Sequence, residues 1–200
     1  MRTLILFAHP NQRVASINRS MAEAAMRVEG VTFVDLYAEY PRFEINIDRE
    51  QSRLREHDAI IFQFPVYWYS TPALLKEWQD LVLEYGFAYG PEGQALGGKF
   101  MMAVVTTGGR EKDYKEGGGN NHSLRDLLLP LQQTAILCGM TFLSPFVLYG
   151  ANDIDSERAI EHIAAYPSLL TSIRDDAFDL EGAALLGTFD RTHLPALVRL

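Results

Sequence analysis

The sequence predicts an α/β domain, an open and mostly parallel sheet with helices on both faces. Apolar runs of strand length recur at Thr3 to Ala8, Val31 to Tyr37, Ala59 to Phe64, Phe100 to Thr107 and Phe142 to Leu148. The first, third and fourth are apolar with little interruption, as parallel strands covered on both faces must be. Segments with apolar residues three and four apart lie between the runs. Strand and helix therefore alternate, and right-handed crossovers follow.

Each element has its own signal. Ile17, Met21, Ala24, Ala25 and Val28 form the stripe of a first helix, which Gly30 stops. Leu74, Leu75, Trp78, Leu81 and Val82 line a second, with Thr71 expected as N-cap and Pro72 as first helical residue. Ser123 and Asp126 have the spacing of a capping box for a third helix running to Gly139, with a kink expected at Pro130. A last helix is expected from about Asp155 to Asp176, interrupted at Pro167. Residues 1–176 read as one domain, without a repeat, linker or low-complexity stretch. The segment 177–200 is apolar but aperiodic, and is expected to pack on the domain or on a partner subunit.

Composition narrows the function classes. With 48% hydrophobic and 22% charged residues the profile is that of a soluble globular chain. A formal charge of −8 without a basic stripe argues against nucleic-acid binding. The single cysteine, Cys138, fits a reducing cytoplasm, and no run reaches membrane-spanning length. The N-terminus reads as a strand rather than a signal peptide. No metal-ligand spacing links the five histidines, so no metal is expected; His57 and His162 read as helix-surface residues.

Ligands of open parallel sheets sit beyond the carboxyl ends of strands. Three strand ends carry unusual residues. His9-Pro10 and then Ala15-Ser16-Ile17-Asn18 follow the first, placing helix N-terminal amides and side-chain donors where a phosphate would sit. Pro65-Val66-Tyr67-Trp68-Tyr69 follows the third, and Thr106-Thr107-Gly108-Gly109 ends the fourth. Singly, Ser16 is explained as an N-cap, and the aromatic run as a subunit interface. Together they describe a phosphate cradle, an aromatic wall and a glycine-lined floor, the parts of a flavin mononucleotide pocket. The dinucleotide fingerprint G-x-G-x-x-G, a Walker A motif and G-x-S-x-G are all missing.

The segments "LFAHP", "SIN", "FQFPVYWYSTPALLKEWQD", "GFAYG", "VVTTGG" and "LPLQQTAILCGM" resemble the flavodoxin-like NAD(P)H:quinone oxidoreductases over residues 1 to about 150. The likeness is closest to the short bacterial branch that includes ancillary reductase subunits of glutathione-regulated potassium-efflux systems. The resemblance implies a three-layer sandwich on a five-stranded parallel sheet of order 2-1-3-4-5. It also implies a two-electron ping-pong cycle from NAD(P)H through the flavin to a quinone-type acceptor, and a homodimer with the pocket at its seam near Tyr89.

The flavin phosphate would then sit at His9 and Ala15 to Asn18, and its ring system at Pro65 to Tyr69, Thr106 to Gly109 and Tyr114. Tyr114 stands where relatives carry a catalytic tyrosine. A histidine six residues later is replaced by Asn120, which leaves His122 as the candidate partner. The short connection between the second and third strands favours FMN, with FAD possible. Competing readings are a regulatory subunit docked on a membrane efflux protein and a flavodoxin-type electron carrier.

Overall fold

The computed structural model describes residues 1–10 and 16–199. Its centre is a parallel sheet of β1 (Thr3–Phe7), β2 (Val31–Asp35), β3 (Ala59–Pro65), β4 (Phe100–Thr106), β5 (Thr141–Phe142) and β6 (Phe146–Leu148). The order is β2-β1-β3-β4-β5, and β6 also pairs with β4. The expected strand order holds, with one change: the fifth run is two short strands, giving six. Ser144 and Pro145 fall between them. Proline has no N–H for the ladder, and the Ser144 hydroxyl donates to the Leu186 carbonyl.

Alternation sends successive side chains to opposite faces. Leu4, Leu6, Ile60, Phe62, Met101 and Ala103 enter one core, shared with α2 (Leu36–Glu39), α3 (Ile47–Glu56), α4 (Ala73–Val82), α5 (Leu124–Leu127) and α6 (Leu129–Leu137). Ile5, Ile61, Met102 and Val104 enter the other. That core is covered by α1 (Ile17–Ala25), α7 (Ser156–Arg174) and the chain end, with α8 (Leu180–Leu185) and α9 (Leu194–Leu197). Phe178, Ala183, Phe189, Leu194 and Leu197 are all buried there, so the segment after Asp176 packs on its own subunit.

Several helix ends differ from expectation. Pro72, not Thr71, is the N-cap of α4, and its carbonyl receives the N–H groups of Leu75 and Lys76. The Ser123 capping box forms as expected, but the helix behind it breaks at Leu128 into α5 and α6, with Pro130 in the first turn of the second piece. There its missing N–H costs nothing. By contrast α7 runs unbroken through Pro167. Tyr166, Leu169 and Leu170 around it are fully buried, and packing on that scale outweighs one lost helical hydrogen bond. The helix α3 carried no expectation; Asn46 caps it, and its buried Glu50 accepts from Tyr40 Oη at 2.6 Å and Trp78 Nε1 at 3.0 Å.

Candidate functional site

The carboxyl ends of β1, β3 and β4 open into one cavity of about 250 Å³. Its lining includes His9, Ser16, Ile17, Asn18, Pro65, Val66, Tyr67, Thr106, Thr107 and Gly108. Three loops separate in sequence thus meet at one rim.

Backbone and buried polar contacts fix the meeting. Ser16 is the N-cap of α1: its Oγ accepts from Arg19 N at 3.3 Å and stands 3.0 Å from His9 Nε2. The first N–H groups of α1 are the orphan donors of a helix start, with the positive end of the helix dipole behind them. Asn18 is buried and donates from Nδ2 to Thr106 Oγ1 at 3.2 Å, tying α1 to β4. Below it, Gln63 Nε2 donates to the Asn18 carbonyl at 2.9 Å, and Tyr166 Oη donates to Gln63 Oε1 at 3.0 Å. Burial pushes the Tyr166 hydroxyl far above its ordinary range, so it stays a proton donor. Among the described residues Asn18 Oδ1 has no hydrogen-bond partner. A buried acceptor on the wall of a cavity is matched by a hydroxyl-bearing ligand, and the ribityl chain of a flavin is of that kind.

The aromatic run divides. Tyr67 lines the cavity, and its ring stands edge-on to His9 at 6.3 Å. Trp68 and Tyr69 instead form the tip of a tight turn closed by Tyr67 N to Ser70 O at 3.2 Å and Ser70 N to Tyr67 O at 3.1 Å. Both tip residues have positive φ, 48° and 64°, a conformation that bulky side chains occupy at a cost of roughly 1–2 kcal/mol each. Trp68 is 93% exposed.

Gly109 does not line the cavity but stands just behind it. A Cβ on Gly109 would fall 3.1 Å from Tyr114 Cε2 and 3.2 Å from Asn120 Nδ2. Tyr114 and Asn120 therefore close on that glycine together. Tyr114 also packs on Tyr149 at 5.5 Å, whose hydroxyl burial pushes up to about 12. His122 is exposed, near the Ser123 cap, where its charge helps hold Asp126 below the usual carboxylate range, after the larger effect of the Ser123 hydrogen bonds. Ala15 lies outside the described residues.

Two lining residues carried no expectation, Ala151 and Asn152. Their loop follows β6 and is stitched to the glycine turn by Gly150 N to Gly109 O and Ala151 N to Thr107 O, both 2.8 Å. The Asn152 amide lies across Gly108, where a Cβ would meet Nδ2 at 2.5 Å. The signal that was open to use is positional: this loop, too, leaves a strand at the carboxyl edge.

The family model described as "Flavodoxin-like fold" matches residues 1–169. The chain belongs to this flavodoxin-like family. General stress protein 14 of Bacillus subtilis is 47% identical over 152 residues, 76% of this chain and 87% of that protein. The glutathione-regulated potassium-efflux system ancillary protein KefG of Enterobacter sp. is 43% identical over 171 residues, 86% of this chain and 93% of that protein. Among solved structures, general stress protein 14 of Treponema denticola in complex with FMN superposes with a TM-score of 0.78 at 33% identity, covering 88% of this chain and 99% of that one. An NADPH-quinone reductase from P. pentosaceus gives 0.76 at 31%, covering 84% and 97%. The resemblance to the quinone oxidoreductases and the efflux-system ancillary proteins therefore stands. Among the described residues, no three His, Cys, Asp or Glu are grouped to hold a metal ion, and no helix is long and apolar enough to cross a membrane.

Proposed function

We propose that this protein is a flavin-dependent NAD(P)H:quinone oxidoreductase that holds FMN in the rim cavity. The observation that carries the reading is the convergence of the three strand-end loops on one cavity, in a fold shared with an FMN complex. Bound FMN would supply two-electron hydride chemistry between NAD(P)H and a quinone.

The chain's own residues position and protonate. Ser16, His9 and the first amides of α1 bind the phosphate. Asn18 Oδ1 accepts from a ribityl hydroxyl. Tyr67 walls the ring system, and Thr106 to Gly109 bring backbone close to it because glycine has no side chain to intervene. Asn152 covers the same turn from outside. Tyr114 Oη, beside Gly109, holds a proton for the quinone oxygen. Asn120, its neighbour, does not titrate, so that proton is renewed from water rather than through a histidine. We infer that His122 plays at most an indirect part.

The reading extends to a cytoplasmic homodimer. Leu129, Ile136, Leu137, Tyr85, Trp68 and Tyr69 are exposed large apolar residues. A groove between α4 and α6, lined by Leu83, Tyr89, Leu131 and Leu137, lies among them. Apolar exposure of that kind is the usual mark of an interface. The likeness to KefG supports a second reading, an ancillary subunit of an efflux system. The two are separated by co-purification with membranes and by quinone turnover of the free protein.

The deciding test is purification, a visible spectrum and release of the cofactor. A yellow protein that releases FMN and is bleached on mixing with NADPH fits the proposal. A colourless protein that takes up neither FMN nor FAD ends it.

A further inference from the structure

A second cavity, about 280 Å³, lies against the same loops as the first. The loops after β4 and β6 line both: residues 106–108 and 151–152 face the first, residues 110–112 and 153–154 the second. Its far wall is α7 with Asp190 and Arg191, which lie beyond residue 169, where the family match ends.

The polar groups of this cavity are unequally satisfied. Arg110 pairs with Asp153 at 3.4 Å, and Arg191 with Glu161 at 2.7 Å. Among the described residues, Arg158 and Lys112 have no side-chain partner. His162 is 1% exposed, lines the cavity, and stacks on Phe146 at 4.4 Å. Among the described residues its Nε2 has no hydrogen-bond partner. A buried polar atom left in that state is destabilising. The chain spends nothing to satisfy it, although two free cations stand on the same cavity.

We propose that this cavity binds a small oxyanion, a phosphate or carboxylate group, through Arg158 and Lys112, with the His162 ring as the buried hydrogen-bonding partner. An oxyanion offers acceptors to both cations and to an imidazole N–H. Burial holds His162 neutral, lowering its pKa to about 4, so one ring nitrogen remains a donor and no second buried charge is created. Glu111, Asp153 and Asp190 on the rim limit how much anionic charge is tolerated and favour a compact, singly anchored group.

The test is nuclear magnetic resonance of the His162 ring in the full-length, FMN-saturated protein. Inorganic phosphate and succinate are titrated separately at constant ionic strength. Saturable movement of the His162 signals is expected with at least one of them. Whichever moves it names the source, phosphate or carboxylate. Arg158 is exposed, so Arg158→Gln leaves the fold intact; it is expected to weaken the midpoint about tenfold, the loss of one charge-assisted hydrogen bond. The equally exposed Lys76→Gln, on α4, should leave the midpoint unchanged. The inference falls if neither anion moves the signals, or if Arg158→Gln and Lys76→Gln behave alike. Should the protein prove not to bind flavin, the same titration runs on the protein as purified, because the readout is local to His162.

Discussion

The two ends of the sheet are built on opposite plans. At the amino end Arg2, Asp58, His57 and Lys99 are tied by hydrogen bonds. Arg2 N donates to Asp58 Oδ2 at 2.9 Å, and its guanidinium pairs with Asp58 Oδ1 at 3.0 Å. Lys99 Nζ donates to the Arg55 and His57 carbonyls, and His57 itself, buried, is held by the Arg53 carbonyl at 2.6 Å and Thr32 Oγ1 at 2.7 Å. At the carboxyl end Asn18 Oδ1 and His162 Nε2 have no hydrogen-bond partner among the described residues, two bulky aromatics sit at positive φ, and a cavity interrupts the surface. One end is finished for stability. The other keeps unspent hydrogen-bonding capacity and stored strain, as binding sites do.

The sharpest way to break this contrast is at its hinge, Gln63. It lies at the carboxyl end yet is fully buried and doubly bonded, to the Asn18 carbonyl and Tyr166 Oη. Gln63→Leu strands both partners and should destabilise by about 2–4 kcal/mol. FMN affinity should fall with it, because α1 loses its anchor to β3. Urea unfolding and flavin titration check both. Lost stability with unchanged affinity would assign Gln63 to the scaffold alone.

Next in size is chemistry at the rim. Tyr114→Phe should keep the flavin bound but slow quinone turnover by roughly a hundredfold, the lower range for a positioned proton donor. His122→Ala, on an exposed loop, should change turnover less than about twofold if Tyr114 acts without it. Unchanged rates in Tyr114→Phe would discard its role; a large loss in His122→Ala would restore the histidine relay.

The contrast also explains what the sequence discloses and what it hides. The strands and the three rim loops were legible because continuous apolar runs leave a local signature, whereas the strand order came from the family resemblance. His162 was not legible. Its neighbours on α7 include the exposed Ile160 and Glu161, and its burial depends on Phe146 against it and on Phe189 packing in turn on Phe146. Phe189 belongs to an aperiodic segment that gives no hint of where it lies. His57 was hidden in the same way, by a Thr32 hydroxyl 25 residues away. Asn152 lies in the loop after the run Phe142 to Leu148; its place at the carboxyl edge was open to reading, but its contact with Gly108 is made only by the fold. Trp68 and Tyr69 were legible as unusual but not as left-handed, since that conformation is imposed by the closing bonds of Tyr67 and Ser70.

A smaller effect belongs to the amino end. Hydrogen bonds and charge from Arg2 hold the Asp58 carboxyl down to about 2. Because the folded pKa is depressed, the pair's contribution is fully present above the unfolded carboxylate pKa near ~4. It is lost as pH falls from there through about 2. Both side chains are substantially exposed, so Arg2→Ala should lower stability only slightly at pH 7. The difference from the parent chain in urea midpoint should vanish at the acid end of that window, with FMN binding unchanged throughout.

The smallest effect has the opposite sign and tests whether strain at the rim serves binding. Tyr69→Gly replaces a bulky residue at φ 64° by one to which that region is freely open. Glycine also gives up backbone entropy on folding, which offsets part of the relief, so the net gain should be at most about 1 kcal/mol. Tyr69 does not line the cavity, so FMN affinity of the isolated subunit should hold. If the half-exposed ring is instead part of a subunit seam, as the homodimer reading requires, Tyr69→Gly will raise the thermal midpoint of the monomer while weakening self-association in sedimentation. A turn that gains stability and keeps its dimer would mean the strain is unrelated to assembly. A turn that loses stability would mean the aromatic ring contributes more by packing than its backbone costs.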